Sequence, residues 1–518
     1  MGNLAADLIL ARGNVLTLNP ACPRAQLVAV KDDMIISVAA NEALPALRGP
    51  GTEVIVLNGR TVLPGFHDAH CHLVAFAESL LVPNLAPPSV NSISDIQGEI
   101  RRLSRNLPPG NWIRARGYDE FYLTEKRHPT RRDIDEATTV HPVKLTHRSG
   151  HAHVLNSLAL TLAGISRETT EPPGAMIERD LETGEPNGVL YGMGDYLSNV
   201  APSLNDCELA RGIGLAGERL LSSGITSVQD ASASNDLRRW RMFRRWKEEG
   251  HLKTRVGMML GVEAFNRHRE EGLLPQTGDN QLRLGAVKII LDETRGYLNP
   301  PREELNRKVM EIHQAGFQVA LHALEETTVE AACLSLEYAL HKLPRRDHRH
   351  RIEHCSVCGP EMAKRLASLG IAVVTQLAFI YYNGERYRET VPDEQLRHLY
   401  PLATLIKAGL KVSASSDAPV VSPEPLTGIY AAVSRTTRAG QKLLPEECIP
   451  PLAAVGMYTQ GAAYTSFEET IKGSIVPGKL ADLVVLSGDP TGVSPEEIKD
   501  LQVEITIIGG EIVWRRGL

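Results

Sequence analysis

Two histidines stand two residues apart in the segment LPGFHDAHCHL, at His70 and His72. On an extended chain, residues two apart share a face, so both imidazoles can grip one ion while Cys71 faces away. Three more titratable residues end otherwise apolar or small-residue runs: His322 after QVAL, His354 after HRIE and Asp417 after VSASS. Each alone reads as a core histidine or a helix-capping aspartate. Together, at the ends of corresponding strands, they read as a metal site. Lys288 interrupts the apolar run GAVKIILDE, and strand alternation sets it on one face with Ala286, Ile290 and Asp292. A bare ammonium in a buried interior is costly unless it is paired or neutralised. Two solutions are open: a neutral amine that takes up CO₂ as a carbamate able to bridge two metal ions, or an ion pair with Asp292 or Glu293.

Eight short strands must place these residues: Thr61 to Phe66, Gly224 to Gln229, Thr254 to Leu260, Gly285 to Leu291, Gln318 to Leu321, His350 to Glu353, Ile371 to Thr375 and Lys411 to Ser415. They alternate with helical stretches, the pattern of βαβ units around a parallel sheet. The expected fold class is α/β, a TIM-like (β/α)₈ barrel, whose catalytic groups sit at the C-terminal ends of its strands. The first gap is too long for one crossover, so residues from about 74 to 212 form an insertion, rich in Arg, Pro and Trp and suited to substrate recognition. Asp7 to Leu18 and Leu27 to Val38 read as short antiparallel strands. Gly473 to Leu486 and Val503 to Trp514 read likewise, the last pair turning at Gly509 and Gly510. The two ends are expected to meet in a composite β-sandwich, residues 1–60 with 472–518, flanking a barrel over 61–471.

Composition narrows the partners. The chain of 518 residues is 42% hydrophobic and 23% charged, ordinary for a globular protein, with a formal net charge of -6. No global positive field exists to hold nucleic acid or an anionic bilayer. Met1 to Ala6 lacks a basic patch before an apolar core, and no apolar run approaches a bilayer span, so a cytoplasmic protein with a small-molecule substrate is expected. The seven cysteines, odd in number and irregularly spaced, fit reduced thiols. Cys355 and Cys358 form a lone C-x-x-C that reads as free thiols or as a redox or zinc pair. A homo-oligomer is compatible with all of this.

The markers PGFHDAHCH, GHAHVLNSLAL, GITSVQD, VKIILD, VALHA, HRIEHC, SSDAPV and IVPGKLADLVVL span nearly the whole chain. In them the sequence resembles the amidohydrolase superfamily and, within it, the YtcJ-like group that includes N-substituted formamide deformylases. The resemblance implies that His70, His72 and Asp417 hold one divalent metal, zinc by default, and His322 and His354 a second, bridged by N6-carboxylated Lys288. It implies hydrolysis of an amide-type, non-peptide carbon–nitrogen bond by a metal-activated hydroxide, with Asp417 as the catalytic base. One metal or two per chain fits the ligands.

Two departures from the group's pattern stand out. Asp292, Glu293 and Thr294 replace an Asp-Gly pair after the lysine, and His322 is followed at the third position by Glu325. His-x-x-Glu resembles the superfamily's mononuclear deaminases, where the glutamate shuttles a proton; its other reading is a surface helix residue. Hydrolytic deamination of an aminated heterocycle is thus the second reading of function, and a non-catalytic barrel acting as a binding or scaffold protein the third. Within the insertion, Tyr118, Arg148 and His151 are candidate substrate-binding residues, as is Glu325; for the stretch THRSGHAHVLNS a capped turn before a helix is the alternative. The run from Arg345 to Arg351 reads as a solvated loop, His67 as structural, and Asp230 as a residue that orients a neighbouring ligand.

Overall fold

The computed structural model describes residues 5–517 apart from 173, 203 and 294–295. It divides into two compact units, Met1–Leu73 with Ala216–Leu518, and Val74–Leu215.

The first unit holds eight parallel strands in sequential order: β1 (Phe66–Cys71), β2 (Ile225–Asp230), β3 (Arg255–Gly261), β4 (Leu282–Ile290), β5 (Val319–Ala323), β6 (Arg351–His354), β7 (Ala372–Thr375) and β8 (Lys411–Ala414). Short, small or β-branched sequences suit strands buried on both faces, and β7, AVVT, is buried at every position. Helices between strands carry the complementary stripe. In Leu237–Glu248, Leu237, Trp240, Phe243 and Trp246 recur every three residues and are buried, and the Asp236 side chain caps the first turn through Arg239 N. The seam is drawn in after β8, where Asp417 N donates to His70 O at 2.9 Å and His72 N to Ala418 O at 2.7 Å. An α/β barrel with additional sheets is the observed fold class.

Two of the additional sheets lie in the first unit. One, of four strands, is built from residues before 57; the other, of six, combines Asn14–Leu16, Arg24–Ala25 and Thr61–Pro64 with Leu483–Leu486, Val503–Ile508 and Glu511–Arg515. They share a core that includes Leu10, Val28, Val62, Leu483, Val485 and Ile507. Three expectations need correction. Thr61–Pro64 is not barrel strand one: it pairs with Asn14–Leu16 and Leu483–Leu486 in the end sheet, and the barrel strand starts at Phe66. Gly65 makes the crossing, since a Cβ there would lie 2.3 Å from the Thr226 side chain. The N-terminal strands are not purely antiparallel, because Leu8–Ala11 also pairs in parallel with Glu53–Val56. The basic run from Arg345 is not a solvated loop either. His348, Arg349, His350 and Arg351 are buried, Arg349 between the rings of Tyr464 and Phe467 and paired with Glu469, and His350 against His313 at 2.8 Å.

The second unit carries a five-stranded mixed sheet. Asn156 lies in it as the cap of helix Ser157–Leu162, accepting from Ala159 N, which meets the capped-turn expectation. Among the described residues no helix is long and apolar enough to cross a membrane.

One buried pair ties β3 to the end sheet. Arg255 donates Nε and Nη2 to Asp482 at 2.7 and 2.9 Å, with both side chains 4% exposed. Removing one partner of such a pair strands the other charge. Asp482→Ala is expected to lower unfolding stability by about 3–5 kcal/mol, read as a reduced denaturation midpoint; an unchanged midpoint would show that the pair does not hold the junction.

Candidate metal centre

β1 and the turns after β6 and β8 converge on one point. His70, fully buried on β1, turns Nδ1 to the Glu353 carboxylate, which also receives two donors from Arg351 on the same strand β6. Arg351 is itself locked to Gln229 and to Ala69 O, the latter at 2.7 Å. Glu353 can only accept when ionised, so it fixes the proton on Nδ1 and leaves Nε2 bare. That Nε2 is 3.4 Å from Asp417 Oδ1, and His72 Nε2 is 3.1 Å from the same oxygen. His72 lies just past the end of β1, and its Nδ1 rests 3.2 Å from Ser232 Oγ. Asp230 steadies that loop by accepting from Ser232 N, Asn235 Nδ2 and Leu73 N.

His354 closes β6 and sets Nδ1 against Gln376 Oε1 at 2.8 Å, while Gln376 Nε2 donates to Ser415 Oγ. Its ring centroid is 4.9 Å from that of His70 and 4.4 Å from that of His322 on β5. His354 and Asp417 both adopt positive φ, 72° and 57°. Non-glycine residues hold that conformation only where their surroundings over-determine it, a frequent trait of functional sites. Ligand-type atoms of His70, His354 and Asp417 lie within 4.8 Å of one another.

Burial governs the protonation states. It pushes His70 down to about 3, helped by Lys288 and opposed by Glu353, and lowers His354, so both imidazoles are neutral near pH 7. Burial would raise Asp417, but the close approach of His72 and the other neighbouring imidazoles hold it below the usual carboxylate range. Lys288 on β4 is 1% exposed, and its Nζ has no hydrogen-bond partner among the described residues, Asp292 and Glu293 included. Burial brings its pKa down to about 8, against the pull of Glu353 and Asp417. His70 Nε2 and Asp417 Oδ1 are likewise buried without a hydrogen bond. The two bare acceptors, His70 Nε2 and Asp417 Oδ1, are a donor set that a divalent cation would satisfy, while Lys288 Nζ beside them needs neutralisation instead.

Of the remaining sequence candidates, Glu325 is exposed at the N-terminus of helix Glu326–Lys342. Thr294 lies outside the described residues. In the insertion, Tyr118 is buried with its hydroxyl 2.9 Å from His128 Nδ1, Arg148 Nε is 3.4 Å from Asp119 Oδ2, and His151 is exposed. His67 is buried, 3.3 Å from Gln229 Nε2. Cys355 and Cys358 are buried free thiols. Sequence reasoning missed Arg351, Glu353, Gln376 and Asp68, the last accepting from Ser416 N, Ser416 Oγ and His70 N. A charged Arg-x-Glu inside a buried strand was the available signal for the first two.

The model of the amidohydrolase family matches residues 53–514. An N-substituted formamide deformylase of Arthrobacter pascens is 30% identical over 541 residues, 98% of this chain and 98% of its own. A putative amidohydrolase of Bacillus subtilis, YtcJ, is 28% identical over 97% of this chain and 98% of its own. In fold, the chain matches a metal-dependent hydrolase of Pyrococcus horikoshii with a TM-score of 0.76 at 23% identity, over 94% of this chain and 99% of that one.

Glu353 tests the electrostatic frame. Burial would raise its pKa, but Arg351 first and His70 second hold it well below the ordinary value. A depressed carboxylate contributes stability that is present above its unfolded pKa and lost as pH falls through the folded one. Arg351→Met weakens that depression, so it is expected to cost about 3–5 kcal/mol at neutral pH and to move the acid-unfolding transition to higher pH. An acid transition at the wild-type pH would remove Arg351 from this role.

Proposed function

Since the chain belongs to the amidohydrolase family, we propose that it is a metal-dependent hydrolase of a non-peptide carbon–nitrogen bond, of amide type, in a small molecule. The observation that carries the reading is the convergence of His70 Nε2, Asp417 Oδ1 and Lys288 Nζ, all buried and all without hydrogen bonds, at the C-terminal ends of β1, β8 and β4. A divalent ion, zinc by default, would be held by His70, His72 and Asp417 and a second by His322 and His354; such ions polarise a carbonyl oxygen and acidify water.

The chain's own groups supply the rest. Arg351 and Glu353 hold His70 in the tautomer that presents Nε2; Gln376 does the same for His354, and Ser232 positions His72. Lys288, with its pKa near 8, has an amine fraction near neutrality that can add to CO₂, losing a proton to give an anionic carbamate. This removes the stranded ammonium from the interior and adds two acceptor oxygens. Asp417, ionised and pinned through its backbone N to His70 O, takes the proton of the attacking water at a carboxylate oxygen and returns it to the departing amine. A formamide-type secondary amide is the first substrate class to try, by likeness to the Arthrobacter pascens relative. Deamination through Glu325 gains no support from that residue's exposed position at a helix start.

Protein purified with bicarbonate is expected to hold about two metal ions per chain by elemental analysis, falling in Lys288→Ala. About one ion, unchanged in that variant and with ammonia released from an aminated heterocycle, would replace the proposal with deamination. Asp417→Asn is expected to lower kcat on N-substituted formamides by ~10²-fold or more while the fold, read by circular dichroism, is retained; near-normal turnover would assign the base elsewhere.

A further inference from the structure

The five-stranded sheet of the insertion has two unlike faces. Strand alternation puts Ile113, Ala115, Val143, Leu145 and Val154 on one of them, where they share a hydrophobic core. The other face carries Arg114 and Arg116 from Ile113–Tyr118, Lys144 and Thr146 from Val143–His147, and His153 from Ala152–Leu155. Register fixes their neighbours: Lys144 lies opposite Arg114, and Thr146 lies between Arg116 on one side and His153 on the other. Three cations and an imidazole thus occupy adjacent positions of one face.

A charged outer face is ordinary where a sheet meets water. This one departs from that pattern in sign and in exposure. Like charges directly opposite each other on paired strands destabilise a sheet, yet among the described residues no carboxylate pairs with Arg114, Arg116 or Lys144. The three cations are half-buried and His153 is 5% exposed. Burial brings Arg116 down to about 10 and lowers Lys144, in both cases against the pull of Glu78, which is itself exposed. Arg116 directs one donor, Nη1, to Ala75 O at 3.3 Å. Its positive charge is left without a counterion.

His153 supplies a second, independent observation. Its Nδ1 is 3.2 Å from Thr146 Oγ1, while its Nε2 is buried without a hydrogen bond. When the Thr146 hydroxyl donates to Nδ1, the ring proton sits on Nε2 as a donor that lacks an acceptor. The residue beside that nitrogen is Gly194, where a Cβ would lie 3.6 Å from it. Burial first, then Lys144 and the other cations around the ring, press its pKa down to about 3, so His153 is neutral and offers a hydrogen bond rather than a further charge.

We infer that this face of the insertion binds a small oxyanion, a carboxylate or phosphate group, held by Arg114, Arg116 and Lys144 with His153 Nε2 as a further donor. A guanidinium matches two oxygens of such a group at once, and the lysine adds a point charge. Bound over Thr146, the anion would neutralise the like charges that the sheet sets side by side. None of these residues belongs to the barrel centre, so the inference stands apart from the metal reading.

The test uses the full chain, with inorganic phosphate and acetate as probes. Calorimetric titration at low ionic strength is expected to detect binding of one probe or both, weakening as sodium chloride is raised. Arg116→Gln and Lys144→Gln should each weaken it ~10-fold or more, while Lys288→Ala leaves it unchanged. Because the cations lack partners in the free protein, both glutamine variants should keep or raise the denaturation midpoint in anion-free buffer, where loss of a structural ion pair would lower it. Binding of phosphate alone assigns a phosphate group, and binding of acetate alone a carboxylate. Binding of neither probe, equal binding by the wild type and both variants, or a loss that follows Lys288→Ala instead would overturn the inference.

Discussion

A fully buried guanidinium, Arg351, lies at the centre of the barrel, and the surrounding polar groups are arranged to accommodate it. Alone it would be prohibitive in such an interior. It is satisfied by Glu353 two residues along the same strand, by Gln229 from β2 and by the carbonyl of Ala69 from β1, so three strands are bound to one charge. Glu353 in turn has a carboxylate oxygen to give to His70. The charge therefore does two things at once: it draws non-adjacent strands together across the barrel, and it determines which nitrogen His70 presents.

The same logic extends outward. Each histidine of the centre with a described partner has its second nitrogen engaged: His70 by Glu353, His354 by Gln376, His72 by Ser232. Orientation is thereby set before anything binds, which lowers the entropy lost on ligation. Strain concentrates at the same place, with His354, Cys355 and Asp417 all at positive φ. The seam hydrogen bonds from Asp417 N to His70 O and from His72 N to Ala418 O hold one of these strained turns, so barrel closure and site geometry are one feature.

Lys288 is the exception within this network. Arg351 and Glu353 satisfy each other, whereas the Lys288 Nζ lies buried without a hydrogen bond among the described residues, and Gly261 and Ala320, its register neighbours on β3 and β5, offer no side-chain acceptor. Buried polar groups left unsatisfied are uncommon in folded proteins and cost stability. The proposed carbamate would relieve this cost, which is why the metal-centre reading leans on this lysine more than on any single histidine.

The sequence by itself determined the barrel class, the number of its strands and the residues that end them, because strand periodicity and isolated polar residues at strand ends are local signals. The candidates His70, His72, His322, His354 and Asp417 were picked out in this way, and Lys288 as a charge interrupting an apolar run. Even the boundary errors were local in origin: Thr61–Pro64 has the apolar sequence of a barrel strand, and only its pairing with Asn14–Leu16 and Leu483–Leu486 moves it to the end sheet. What only the tertiary structure decided is who faces whom. Arg351 sits in a basic run that reads as solvated, and nothing within that run reveals that Gln229 and Ala69, more than a hundred residues away, surround it. Glu120 and His147 meet only because two strands of the insertion pair in parallel with a one-residue shift. Charge and type are written along the chain, but the interaction of a charge with its partner depends on separation and burial, and both are set by the packing of distant segments.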